Sequence, residues 1–408
     1  MATFGLVVGG GPAPGINGVI SAATIAARRS GARVIGCVQG FEWLMQGDID
    51  HIVDLDEAAV TRIHEQGGSI LRTSRANPTQ DPANLERVVD SLSRLGIDHL
   101  ISIGGDDTCF SARSVADAAG DRLKVVHVPK TIDNDLPLPP GVPTFGFETA
   151  RATASGILCT LLEDARTSGR WFFITMMGRN AGHLALGAAH SAGATLAIVA
   201  EEYGGQKIRL ETLARRVEGT ILKNTAEGRP YGVIVLAEGL GESIDPADLA
   251  ELPDLPRDEH GHLRLAEFPL GALVRERVQH ALGEHGIKAT IVVKDVGYEC
   301  RCVSPSAYDQ EYTRVLGAGA VETLLAGLGH VMITRQNGGI VPIPFDELID
   351  PETGKTAVRM LDTTTESFAT ALRLQTRLEA GDLADPDKGK AIASVSALDL
   401  AALRARFS

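Results

Sequence analysis

No apolar run in the 408 residues reaches the roughly 20 that a membrane-spanning helix needs, so a helical membrane protein is excluded. Cysteine is scarce. The five present show no metal-ligand spacing beyond Cys300-Arg301-Cys302, and no second pair completes that one, which suits reduced thiols in a cytoplasm. Positive charge is in deficit: 39 Lys and Arg face 52 Asp and Glu, for a net charge of −13, which argues against nucleic acid as a partner. A phosphate-bearing substrate would have to be captured by local Arg, Lys and helix N-termini against that field. Met1-Ala2-Thr3 leads straight into a strand-like run with no basic n-region, so no signal peptide is expected. No GK[ST] follows a Gly-rich turn and no GxGxxG has dinucleotide spacing, which removes the P-loop and Rossmann fingerprints. There is no low-complexity tract and no short repeat.

The chain is instead rich in glycine, 45 residues, and ordinary in hydrophobic content at 44%. Its length predicts two domains. The pattern is strand, Gly turn, helix, repeated: strand 4–8, helix 16–29, strand 33–38, helix 84–95, strand 98–103, a helix to about 118, and an apolar strand ending before Pro129. This alternation predicts βαβ units and a mostly parallel sheet. The Pro-rich run 136–143 is expected to cross between domains. A second alternating block follows: helix 145–166, strand 171–176, helix 182–191, strand 195–199, helix 210–224, strand 232–237, helix 270–282 and strand 289–293. Residues 241–265 are expected to form a surface loop or insertion. Helix 311–325 and strand 330–334 are expected to return to the first domain, and 363–405 to alternate helices around a polar break at 380–388. The expected division is 1–143, rejoined by about 304–345, and 144–303 with C-terminal helices over 346–408.

Val128-Pro129-Lys130-Thr131-Ile132-Asp133-Asn134-Asp135 is the most informative segment. It sets a cation beside two carboxylates after a buried strand, and ligands in open α/β sheets sit at the carboxyl ends of strands. Such a set suits an anionic substrate, a metal, and a general base for a hydroxyl; a solvated loop with a local salt bridge would use the same residues. Gly9-Gly10-Gly11-Pro12-Ala13-Pro14-Gly15 follows a strand and opens a helix, exposing backbone N–H groups to an anion. Gly104-Gly105-Asp106-Asp107-Thr108 repeats that geometry with carboxylates suited to magnesium, Thr108 being the expected helix cap. Gly67-Gly68-Ser69-Ile70-Leu71-Arg72-Thr73-Ser74-Arg75 brings two arginines near a Gly turn. Met177-Gly178-Arg179 and Gly297-Tyr298-Glu299-Cys300-Arg301 each follow a strand, and Glu238 follows another, where a carboxylate could hold sugar hydroxyls.

In this order the pieces resemble the phosphofructokinase family over roughly residues 4–340. GGGPAPGIN is similar to its first phosphate turn, GGSILRTSR to its second loop, GGDDT to its magnesium turn, PKTIDND to its catalytic loop, and MGRNAG with GYECR to its sugar-phosphate clamp. The resemblance implies two doubly wound, mostly parallel-sheet α/β domains with the active site in the cleft, and phosphorylation of fructose 6-phosphate at its 1-hydroxyl in glycolysis. Asp133 then resembles the base, with Lys130 and Thr131 as catalytic companions. Thr131, Asp133, Asp135, Arg170, Met177, Gly178, Arg179, Glu238, Tyr298 and Arg301 match substrate positions. Gly11, Arg75, Asp107 and Lys130 match phosphoryl-donor positions, and Asp106 the carboxylate of Mg2+. Asp107 and Lys130 stand where ATP users usually have Gly, which resembles the pyrophosphate-dependent branch; a carboxylate there would repel a nucleotide's α-phosphate, and the ammonium would attract pyrophosphate. Arg170 matches an arginine that reaches into a neighbouring subunit, which implies a homodimer or homotetramer with shared sites. Pro12 departs from the Asp of many members. Tyr298 replaces the His of ATP users. A second cross-subunit Arg is missing at Val292, with Lys288 and Lys294 nearby. The other readings are an ATP-dependent enzyme, a non-catalytic regulatory subunit of the same fold, and a dinucleotide-binding oxidoreductase.

Overall fold

The computed structural model describes residues 2–179, 181–250 and 267–407. Its strands are β1 (Thr3–Val8), β2 (Arg33–Cys37), β3 (Ile52–Asp54), β4 (His99–Gly104), β5 (Lys124–Thr131), β6 (Phe145–Gly146), β7 (Trp171–Met176), β8 (Leu196–Ile198), β9 (Gly232–Ala237), β10 (Ile291–Val296), β11 (Val331–Gln336) and β12 (Gly339–Pro344). The chain divides into two compact units: Met1–Ala150 with Tyr298–Arg359, and Arg151–Gly297 with Met360–Ser408. The first crossing lies seven residues beyond the expected 143, and residues 298–303 and 346–359, expected with the second domain, group with the first unit.

In the first unit the sheet runs β12-β11-β5-β4-β1-β2-β3, with β6 paired to the end of β5. β11, β5, β4, β1 and β2 are mutually parallel. Antiparallel β3 and β12 close the two edges. Side-chain alternation feeds both faces, as a sheet covered on both sides requires. Phe4, Leu6 and Val8 of β1 enter a core with Ile16, Ile20 and Leu316 of helices Ile16–Arg29 and Ala307–Leu325. Val7 enters the opposite core with Val88 and Val115 of helices Pro82–Arg94 and Asp106–Ala119. The order reverses between β1 and β4, so the turns after these two strands flank the crevice where doubly wound sheets take ligands. The β11–β12 hairpin was not legible as a pair of strands. Its two-residue turn, Asn337-Gly338, has φ of 51° and 83°, the left-handed pair of a type I′ turn.

In the second unit β10-β7-β9-β8 are all parallel. Trp171 and Phe173 of β7 pack with Val217 and Val274 of helices Leu210–Ala226 and Leu270–Glu284. The order reverses between β7 and β10. Leu383, Ile392 and Leu403 of the C-terminal helices pack on Leu222.

Three expectations are corrected. The Pro-rich run 136–143 does not cross between units: Leu136 and Leu138 are buried in the first unit's core. The polar break at 380–388 is two helices, Ala380–Ala384 and Pro386–Ser394, because the Asp385 side chain caps the second and Pro386 fits its first turn. Part of the expected loop at 241–265 is helical, Leu240–Ser243 and Pro246–Ala250; residues 251–266 lie outside the described residues.

Candidate active site

The turn after β1 is fixed from three directions. The Gly9 N–H donates to the Ile103 carbonyl at 2.9 Å, the Gly10 N–H donates to the Ser74 carbonyl at 2.8 Å, and the Thr73 hydroxyl donates to the Gly10 carbonyl at 2.6 Å. These bonds tie the loop carrying Arg75 to the first Gly turn. Arg75 itself is exposed. The buried Lys130 ammonium donates to the Gly11 carbonyl, which delivers the cation to that turn. Gly10 has no substitute: its φ is 78°, and a Cβ would lie 3.3 Å from Lys130 Nζ. Helix Ile16–Arg29 then begins at Gly15 without a side-chain cap, so its first-turn N–H groups are not engaged by the capping side chain.

The turn after β4 places Asp106 and Asp107 in the first turn of helix Asp106–Ala119. Thr108 does not cap it. Gly105 is the N-cap, without a side-chain bond, and Thr108 is a buried helical residue wedged against two glycines. A Cβ at Gly9 would lie 2.5 Å from Thr108 Oγ1, and one at Gly104 2.2 Å from its Cβ, so Thr108 holds the two turns at contact distance. His127 sits fully buried behind them. Its Nε2 is 3.0 Å from the Gly104 carbonyl and its Nδ1 3.2 Å from Ser102 Oγ. Burial pushes its pKa down to about 3, with the Lys130 charge adding to the effect, so the ring is neutral and its Nε2–H donates to Gly104. Sequence patterning gave this histidine no role, because it lies on an otherwise apolar strand.

Thr131, which ends β5, and Asp133 and Asp135 on the loop after it are buried. The Asp133 N–H donates to Thr131 Oγ1 at 3.0 Å. Asn134, between the two carboxylates, is left-handed at φ 59°, an uncommon state for a non-glycine residue. Arg301 comes to the first Gly turn: a Cβ on Gly11 would lie 3.2 Å from its Nη2. Its guanidinium also lies 4.9 Å from the ring centroid of exposed Tyr298. The first unit thus gathers Gly11, Asp106, Asp107, Lys130 and Arg301 around the carboxyl ends of β1, β4 and β5.

The second unit gathers a different set. Glu238, after β9, is buried and accepts from the N–H groups of Gly178 at 3.0 Å and Arg179 at 2.6 Å, holding Arg179 left-handed at φ 48°. Glu238 therefore shapes the turn after β7 as well as standing at its mouth. Met177 is buried beside Gly297, where a Cβ would lie 2.4 Å from its own. Arg170 is not part of this group. It precedes β7, whereas Met177 follows it, which separates them by the strand's length of about 20 Å. Arg170 Nε has no hydrogen-bond partner among the described residues, and the nearest carboxylate oxygen, Asp164 Oδ1, is 3.8 Å away.

Among the described residues no three His, Cys, Asp or Glu side chains gather to hold a metal. The carboxylates of Asp106 and Asp107 stand at the turn after β4, and magnesium is commonly bound through one or two carboxylates with water and substrate phosphates. Two arginine and carboxylate contacts were missed in the sequence. Asp309 accepts from the N–H groups of Gly146 and Thr149, both at 2.9 Å, and from the Thr149 hydroxyl, tying helix Ala307–Leu325 to the start of helix Phe147–Ser168. Arg359 binds the loop after β5. Both lie far in sequence from what they hold, so no local signal announces them.

The family model described as phosphofructokinase matches residues 3–324. A curated relative from Thermotoga maritima, pyrophosphate–fructose 6-phosphate 1-phosphotransferase, is 47% identical over 389 residues, covering 94% of this chain and 93% of its own. One of the same name from Naegleria fowleri is 45% identical over 403 residues, covering 97% and 92%. In fold, the pyrophosphate-dependent phosphofructokinase of Nitrosospira multiformis aligns with a TM-score of 0.69 at 18% identity, over 92% of this chain and 91% of that one.

Proposed function

The chain belongs to the phosphofructokinase family, and on that premise we propose that it transfers a phosphoryl group reversibly from pyrophosphate to the 1-hydroxyl of fructose 6-phosphate, giving fructose 1,6-bisphosphate and phosphate, in glycolysis. The observation that carries the donor assignment is the Lys130 ammonium seated on the Gly11 carbonyl beside an acidic helix start at Asp106-Asp107. The two relatives at 47% and 45% identity, both named for this reaction, support the same reading.

The first unit serves as the phosphoryl-donor domain and the second as the sugar-phosphate domain. Asp133 takes the proton of the 1-hydroxyl. The oxygen forms a bond to one phosphorus as the bridging P–O bond breaks, and phosphate leaves with those electrons. Lys130, Arg75 and the Gly11 amide stabilise the charge on the transferring group, in a site with no covalent intermediate to build. Asp106 would hold Mg2+, which when bound neutralises charge on the pyrophosphate oxygens. Thr131 orients Asp133 through its backbone N–H, and Asp135 lies on the same loop. On the sugar side, Met177, Gly178, Arg179 and Glu238 form one contact group, and Tyr298 with Arg301 another. The position of Arg301 beside Gly11 favours a reach toward phosphate there.

Arg170 serves a neighbouring subunit's site, so the active form is a homodimer or homotetramer. The support is its place at the amino end of β7, away from its own chain's Arg179 turn. Lys288 is the better substitute for the missing second arginine. It precedes β10 at the end where the Trp171 N–H meets the Thr290 carbonyl, whereas Lys294 lies level with Ile174. A cytoplasmic setting fits five cysteines that are all free. Initial rates with fructose 6-phosphate and either pyrophosphate or ATP test the assignment: pyrophosphate is the faster donor, and faster turnover with ATP overturns it.

A further inference from the structure

The loop carrying Asp133 is held by a residue outside the span that the family model matches. Arg359 Nε donates to the Asn134 carbonyl at 3.1 Å and Nη2 to the same oxygen at 2.9 Å. Nη2 also donates to Asn134 Oδ1. Nη1 donates to the carbonyls of Val142 at 2.9 Å and Leu138 at 3.3 Å, and the Arg359 N–H donates to the Asp135 carbonyl at 2.7 Å. One planar fork therefore grips both the peptide between Asn134 and Asp135 and the far limb of the same loop. Three residues earlier, the Thr356 hydroxyl donates to the Asp106 carbonyl at 3.1 Å, so a single strap touches the acidic turn and the loop after β5.

We propose that Arg359 is a positioning residue for the phosphoryl-transfer reaction, locking Asn134 in its left-handed state and thereby fixing Asp133 and Asp135 on either side of it. Without such a clamp a non-glycine residue leaves that conformation readily. The Asn134 side chain completes the lock, since its Oδ1 also accepts from the Thr144 N–H at 3.0 Å. Lysine cannot replace the arginine: its three donors radiate from one nitrogen and cannot span Asn134 and Val142 together. Misplacing a catalytic group by about 1 Å can cost about 100-fold in rate.

The proposal rests on Asp133 as the base, and the test separates the two. Arg359→Lys and Asp133→Asn are purified and assayed side by side in both reaction directions. Arg359→Lys is expected to lower kcat at least tenfold while the KM for pyrophosphate and for fructose 6-phosphate stays within about threefold. A folded Arg359→Lys protein with kcat within twofold of the parent overturns the proposal. If Asp133→Asn keeps its turnover, the assignment of the base fails instead. Should Arg359→Lys not fold, Asn134→Ala is read in its place, because it removes the side-chain amide whose Oδ1 Arg359 and Thr144 share and leaves the backbone clamp unaided; kcat within twofold of the parent then overturns the proposal.

Discussion

At the scale of the residue, the chemistry reduces to where protons and negative charge go. Asp133 is buried on a loop that bonds its own N–H to Thr131. General-base assistance is worth about 10²–10⁴ in rate, so Asp133→Asn, which keeps shape but not basicity, should lower forward kcat by at least that lower figure. A loss below tenfold in a turnover assay sinks its role as base. If donor choice rests on Asp107 and Lys130, it is a difference between two affinities, made partly by repulsion. Asp107→Gly should permit weak use of ATP, and Lys130→Gly should mainly damage use of pyrophosphate. For buried Lys130 the loss of a charged contact is worth on the order of 2–5 kcal/mol, large enough to see in initial rates, whereas exposed Asp107 acts more weakly. Unchanged donor ratios in both variants would contradict this account.

At the scale of the element, the site is built from strand ends held in register by groups behind them. His127 reaches from β5 to the carbonyl that ends β4. Its folded pKa of about 3 lies below the ordinary 6.5, so the unfolded chain binds the proton more readily across that interval. The stability it contributes is complete above pH 6.5 and is lost as pH falls toward 3, a matter of several kcal/mol at the lower end. His127→Gln should flatten the acid limb between those pH values when unfolding is followed by circular dichroism; an unchanged slope means the ring is not neutral and buried as described. Asp309 joins helix to helix. Burial raises its pKa against the hydrogen bonds from Thr149 and Gly146, which lower it. Asp309→Ala leaves those N–H groups unsatisfied and should cost on the order of 2–4 kcal/mol in urea unfolding. A midpoint equal to the parent's would show that water replaces the carboxylate.

At the scale of the whole molecule, function is expected to require more than one chain. Arg170 stands a strand's length from its own Arg179 turn. If it serves a neighbour, Arg170→Ala and Asp133→Asn chains, each inactive alone, should recover part of the activity when they assemble together, because some sites then combine an intact Asp133 with an intact Arg170. Mixed oligomers that stay inactive would exclude a shared site.

The sequence by itself determined the alternation of strands and helices, because hydrophobic period and Gly turns are local. Strand 171–176 and the main helices fall within a few residues of where that pattern sets them. It also put Asp106, Lys130 and Asp133 in short motifs at the ends of β4 and β5, where the fold keeps them. What it could not carry were decisions made between distant residues. Thr108 has the character of a helix cap, yet the close approach of Gly9 and Gly104 makes it a wedge. Asp385 and Pro386 start a helix in a polar stretch, and the packing of its Ile392 with Leu222 is a contact between residues far apart in the chain. The grip of Arg359 on Asn134, 225 residues away, leaves no periodic or compositional trace, since a hydrogen bond to a backbone carbonyl is blind to the side chain it passes. Tertiary structure decided which polar groups meet, because only the folded chain brings their strand ends to one edge of a sheet.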